Sequence, residues 1–218
     1  GVLLQAYMLG EIGYIIMQVN AKQAAWRTKI DAVNQSMRYI NLVPELQDSV
    51  RMYFEFSWAV FGGDNDNNWL WELPSELHTQ ILLALNEDMI SKVPIFKDAN
   101  PKFVSAIVMR LQSRLHLPGD YIIRYGTFGK EMFFIVRGVV VATDEEEKMV
   151  FSEMREGNFF GEIALLKEDA LRTASVRART YVELNTLHRD EFNVVLTEFP
   201  EDGAHVFEIA QERERRTN

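Results

Sequence analysis

Two short stretches hold the residues best suited to chemistry. The first is Phe160-Gly161-Glu162-Ile163-Ala164-Leu165-Leu166, the second Arg172-Thr173-Ala174-Ser175-Val176-Arg177-Ala178. Gly161 permits a tight turn out of a strand. Glu162 to Leu166 suits one short helix, whose first N–H groups lack partners within the helix and form a natural cradle for a phosphate. The residues between Leu166 and Arg172 return the chain to a guanidinium that can pair bidentately with a phosphodiester. The Glu162 carboxylate is an acceptor suited to a ribose hydroxyl. Either stretch alone reads as a glycine turn, a surface ion pair between Glu162 and Arg172, and a strand. Both together, at this separation and after a β-rich lead-in, point to an anion-binding site.

Composition narrows the partners. The 218 residues are 47% apolar and 25% charged, with net charge −9 and no cysteine. That is ample for a core. The acidic balance argues against a nucleic-acid backbone, which requires a basic surface, but leaves a local anion site open. Without cysteine neither disulfides nor thiolate metal sites form, and a reducing compartment is the simplest reading. No signal peptide is evident. A metal-dependent barrel enzyme would cluster histidines and carboxylates, yet His78, His116, His188 and His205 are scattered. No Ser-His-Asp or Walker pattern stands out either, so no enzyme and no metal are expected.

The elements that must position the site fall in three regions. Val2 to Val19 is mostly apolar but marginal for a full membrane span, weakened by Gln5, Glu11 and Gln18. It suits half a span or a buried helix. Helices follow at Lys22 to Met37, Glu45 to Phe61 after Pro44, Glu76 to Leu85, and Glu87 to Lys92 before Pro94. The aromatic face Tyr53, Phe54, Phe56, Trp58 and Phe61 suits packing within this chain or against a neighbouring copy, the first being slightly favoured. Gly62 to Asn68 reads as a loop. An amphipathic helix is expected over Pro101 to Arg114. Glycine-punctuated strands come next, at Met132 to Val136, Val139 to Thr143, Lys148 to Met154, Thr173 to Ala178 and Tyr181 to Leu187. They imply a compact β barrel or roll. Helices return at Arg189 to Glu198 and, after Pro200, at Glu201 to Arg216, whose alternating charges suit a solvated face. The fold class is α+β: helical hairpins, then an antiparallel, jelly-roll-like β-roll flanked by helices.

The 160–178 stretch resembles the phosphate-binding cassette of cyclic-nucleotide-binding domains. Pro118-Gly119-Asp120-Tyr121-Ile122-Ile123 and Gly126-Thr127-Phe128-Gly129-Lys130-Glu131-Met132-Phe133-Phe134-Ile135 resemble that family's early strands. The likeness runs from about Ala99 to the end. Upstream, Asn20-Ala21, Lys29-Ile30-Asp31-Ala32-Val33-Asn34-Gln35-Ser36-Met37 and Leu73-Pro74-Ser75-Glu76-Leu77 resemble the C-linker of cyclic-nucleotide-gated and hyperpolarisation-activated channels.

The resemblance implies three segments. Residues 1–19 would be the cytoplasmic end of a pore-lining helix, 20–98 a gating and tetramerising C-linker, and 99–218 a domain for cAMP or cGMP. It implies that Arg172 pairs with the cyclic phosphate, Glu162 holds the ribose 2′-hydroxyl, and backbone of Gly161, Ile163 and Ala164 completes the cradle. Thr173 would offer a hydroxyl to the phosphate or a syn purine; kinase-type relatives usually carry alanine there, so Thr173 favours the channel branch and keeps cGMP open. Ala142 and Met154 fall near the purine wall, with plain core packing as the other reading. Arg213, Arg216 and Thr217 fall on the lid helix, and the absence of an acid at Thr217 leans toward cAMP. Glu168 and Asp169 stand near the phosphate and would weaken binding or face water. Expected partners are a cyclic nucleotide, three further copies through the C-linker and the channel's transmembrane part, at the cytoplasmic side of the plasma membrane. The alternatives are a nucleotide-free homology domain of a voltage-gated potassium-type channel, or a soluble regulatory module. A kinase regulatory subunit would add a tandem nucleotide domain, and a bacterial transcription regulator a basic helix-turn-helix.

Overall fold

The computed structural model describes residues 2–62, 70, 72–97, 99–166 and 170–217, with side chains from residue 21 onward except at 95, 166, 210 and 213–217. The chain divides into two compact units, Gly1–Asp66 and Asn67–Asn218.

The first unit is a helical hairpin. One continuous helix, α1 (Val2–Tyr39), spans both the apolar start and the segment expected as a separate helix from Lys22. No proline or capping signal interrupts it, so nothing local stops propagation. It ends where Asn41 takes a left-handed φ of 51° and the Leu42 N–H donates to Met37 O at 3.0 Å. Pro44 then opens α2 (Pro44–Phe61), its fixed φ suited to the first helical position. Gly62 closes α2 in the left-handed conformation, its N–H donating to Trp58 O at 2.8 Å. Trp26 of α1 packs on Phe54 and Trp58 of α2, with ring centroids 5.9 and 4.9 Å apart. Phe54 and Trp58 of the aromatic face thus pack inside the hairpin, whereas Tyr53 of that face is exposed. The loop expected at Gly62 to Asn68 lies outside the described residues beyond Gly62. Among the described residues, no helix is long and apolar enough to cross a membrane.

The second unit opens with α3 (Ser75–Leu85), α4 (Glu87–Lys92), a 3-10 turn at Pro94–Phe96 and α5 (Pro101–Val108). The strands are β1 (Gln112–His116), β2 (Tyr121–Ile123), β3 (Glu131–Arg137), β4 (Val140–Thr143), β5 (Val150–Met154), β6 (Phe159–Phe160), β7 (Ser175–Ala178) and β8 (Val182–His188). A four-residue helix α6 (Ile163–Leu166) separates β6 from β7, and α7 (Arg189–Glu198) and α8 (Pro200–Thr217) follow β8. Two antiparallel four-stranded sheets result, ordered β1-β8-β3-β6 and β2-β7-β4-β5. The architecture is α+β, the β-roll with flanking helices read from sequence.

β3 shows why the roll needs both layers. Its run Met132-Phe133-Phe134-Ile135 is buried on both faces. Phe133 and Ile135 point between the sheets, among Val140, Ala142, Val176 and Leu184. Met132 and Phe134 point the other way, into a cluster with Met89, Val93, Phe96, Phe103, Phe192 and Val195 from the helices. Alternation on a strand forces this division, so a strand covered on both sides must be apolar throughout.

The end of α5 also differs from the sequence reading. The helix expected to reach Arg114 stops at Val108, and Gln112 to Arg114 join β1, paired with Thr186, Asn185 and Leu184 of β8. The pairing partner lies some seventy positions downstream, so local amphipathicity gives no sign of it.

His116, at the end of β1, yields a prediction. Its Nε2 is buried with no hydrogen-bond partner among the described residues. Burial lowers its pKa from the usual imidazole value; Asp120 opposes the shift and Arg114 adds to it. A depressed folded-state pKa means that the unfolded chain takes up the proton first. Stability is therefore lost as pH falls through the ordinary histidine value of about 6.5 toward the folded one. Denaturant titrations on either side of that value are expected to show this loss, and His116→Leu to reduce its slope.

Candidate functional site

The site lies where β6 hands over to α6 and the chain returns to β7. Gly161 ends β6 at φ 79°. A Cβ there would stand 2.8 Å from an Arg172 guanidinium nitrogen and 3.1 Å from Glu131 O, so glycine is required by both backbone and space. The turn lets Ile163 to Leu166 wind into α6. Leu165 anchors that turn: it is buried in the cluster that holds Phe192 and Val195 of α7 and Val206 of α8.

Arg172 crosses back over this turn. It donates from Nη1 to Gly161 O at 3.1 Å and from Nη2 to Glu131 O at 2.8 Å, with its guanidinium 5.8 Å from the Phe133 ring centroid. Its main chain is pinned as well, since Arg172 N–H donates to Thr127 O at 2.8 Å and Gly126 N–H to Arg172 O at 2.9 Å. Burial lowers its pKa; Glu131 and then Glu162 act in the opposite sense, and Arg189 reinforces the lowering. A guanidinium remains charged regardless, so the partly desolvated cation is held ready for an anion.

Beside it opens a cavity of about 510 Å³, within the usual range for small-molecule sites. Gly161, Glu162, Ile163, Ala164, Arg172 and Thr173 line one side. Ala142 and Met154 line it too, both buried, and both also belong to the core between the sheets. Eight of the nine residues singled out from sequence are thus brought to one cavity. The ninth, Arg213, lies on α8 with its side chain outside the described residues, as do those of Arg216 and Thr217. Glu168 and Asp169 lie outside them entirely. One detail modifies the cradle: the Ala164 N–H already donates to Gly161 O at 3.1 Å. The amide of Ala164 is therefore engaged before any ligand arrives.

Sequence reasoning missed several wall residues: Ile123, Phe151, Ser152, Phe160, Ala174 and Val176 also face the cavity. The register explains Ser152. Ala142 of β4 stands opposite Ser152, whereas Met154 stands opposite Val140, with an irregularity between Ala142 and Thr143. Period-two spacing from Met154 was the available signal, but the acidic hairpin concealed the register. Among the described residues no group of three or more His, Cys, Asp or Glu side chains could hold a metal.

A β-roll, a turn-helix cassette and a half-buried arginine meet at one cavity. Residues 114–199 match the family of cyclic nucleotide-binding domains. Over most of its length the chain is similar to cyclic nucleotide-gated channels. It is 32% identical over 209 residues to the cyclic nucleotide-gated channel rod photoreceptor subunit alpha of Gallus gallus, covering 94% of this chain and 32% of that one. Against cyclic nucleotide-gated channel alpha-3 of Homo sapiens it is 32% identical over 206 residues, covering 92% and 30%. Against a cyclic nucleotide-gated channel of Caenorhabditis elegans it is 30% identical over 206 residues, covering 92% and 28%. The chain therefore spans about a third of the length of these curated relatives. The matched family is a binding domain and these relatives are channels, not enzymes.

Proposed function

We propose that this chain is the ligand-sensing and gating region of a cation channel, with cAMP or cGMP as its ligand. The observation that carries the reading is the cavity walled by Glu162, Arg172 and the 161–164 turn. In it the cyclic phosphate pairs with Arg172, and a ribose hydroxyl donates to Glu162. The purine lies toward Ala142, Phe151, Ser152 and Met154, with the Thr173 hydroxyl available to phosphate or base.

Packing supports a route for transmission. Leu165 of the cassette shares an apolar cluster with α7 and α8, so a cassette that tightens on a phosphate repositions α8 and the Arg213 it carries. Residues 20–98 relay that motion as a tetramerising linker to residues 1–19, the end of a pore helix, on the cytoplasmic side of a membrane. The ligand biases the gate only by its differential affinity for the two states.

The test is calorimetric titration of the purified chain with cAMP and with cGMP. Saturable, stoichiometric binding is the expected result, and the ratio of the two affinities names the ligand. A folded chain that takes up neither nucleotide would leave a structural homology domain in place of a sensor.

A further inference from the structure

Three consecutive carbonyls leading into the first residue of β3 are all taken by two arginines. Arg189 Nη2 donates to Gly129 O at 2.6 Å, and Arg189 N–H donates to Lys130 O at 2.8 Å. Arg172 Nη2 donates to Glu131 O at 2.8 Å. Arg189 also reaches the cassette itself, its Nε donating to Ala164 O at 2.6 Å. It is only 8% exposed, so these bonds form in a medium where losing one leaves a costly orphan.

The segment 129–131 is held as tightly on its other side. A Cβ at Gly129 would stand 2.6 Å from Ala164 Cβ and 2.7 Å from Arg172 Cζ, and its N–H donates to Ala170 O at 3.0 Å. Backbone, cassette and both guanidiniums therefore meet without slack, and Arg189 is the first residue of α7.

We propose that Arg189 is a positioning residue for the phosphate site: it clamps the 129–131 segment and Ala164, and so fixes where Arg172 presents its guanidinium. This rests on the reading of the cavity as a cyclic nucleotide site. Arg189 does not line the cavity; it acts through Arg172 and the segment that holds it. Because Arg189 also starts α7, the same bonds join the phosphate site to the helix that leads into α8.

A double-mutant cycle tests this, read by calorimetry with whichever of cAMP and cGMP binds the unaltered chain more tightly. Arg189→Gln is expected to weaken binding by about tenfold, the scale of losing charge-assisted contacts. Arg189→Lys, which keeps the charge but not the fork, is expected to recover part of that. Against an Arg172→Lys background, where the guanidinium to be positioned is already gone, Arg189→Gln is expected to cost about twofold or less. Penalties that multiply in the double variant would mark a merely structural role and overturn the proposal, as would unchanged binding by Arg189→Gln. If Arg189→Gln does not fold, the same cycle run with Arg189→Lys decides between these outcomes. Failure of the unaltered chain to bind either nucleotide would sink the reading of the cavity; normal binding with an inert Arg189 would sink this inference alone.

Discussion

Arg172→Ala is expected to cost at least about 1.5–3 kcal/mol of cyclic nucleotide binding, roughly tenfold or more in affinity. The reason is the position of the cation. Its guanidinium is already partly desolvated and fixed by Gly161 O and Glu131 O. An anion arriving there gains a charge-assisted contact without ordering a flexible side chain. Alanine removes the charge and leaves two carbonyls to find water. Calorimetry on the variant gives the affinity, and a thermal melt without ligand separates that loss from any loss of fold. Arg172→Lys is expected to fall between, since an ammonium retains the charge but not the planar fork. An alanine variant that binds as tightly as the unaltered chain would remove Arg172 from the site.

The largest stability effect is expected at Phe134. It is 1% exposed, stacked on Phe96 at 5.4 Å between centroids and tilted against Phe159 at 6.5 Å. Phe134→Ala is expected to destabilise the second unit by about 3–5 kcal/mol, the range for a buried phenylalanine whose cavity cannot close. Denaturant unfolding measures it. A loss below about 1 kcal/mol, the range of tolerated core changes, would contradict the packing described. Coupling between Phe134→Ala and Phe96→Ala of about 0.5–1.5 kcal/mol is expected for a direct ring contact. Phe134 faces the helices and its neighbour Phe133 the space between the sheets. Variants that still fold are thus expected to keep their ligand affinity.

These two residues also show what the sequence disclosed. The Met132 to Val136 run reads as strand because it is short, apolar and bounded by glycine, and it forms most of β3. The helices over Glu87 to Lys92 and Arg189 to Glu198 coincide with their expected limits, since prolines and polar caps mark their ends locally. The cassette is legible for the same reason: its glycine, acid and arginine lie within a dozen residues of one another. What stayed hidden depends on distant partners. β6 is two residues long and exists through its pairing with Phe133 and Phe134, and β1 exists through β8. Ser152 reaches the cavity through a hairpin register that the acids between Thr143 and Met149 do not specify. Arg189 reads as an ordinary helix-opening arginine, and only the fold brings three carbonyls to it.

The contact cluster around Phe134 has a practical consequence for anyone shaping this protein into a nucleotide biosensor. The family match covers residues 114–199, and the obvious upstream trim point is Ala99. A chain cut there would lose Met89, Val93 and Phe96 and carry a bare aromatic flank into solution, the kind of patch that drives aggregation. The boundary that preserves solubility falls upstream of α3, near Asn67 where the second compact unit begins. Helices α3 and α4 thus serve the β-roll as its own protective coat.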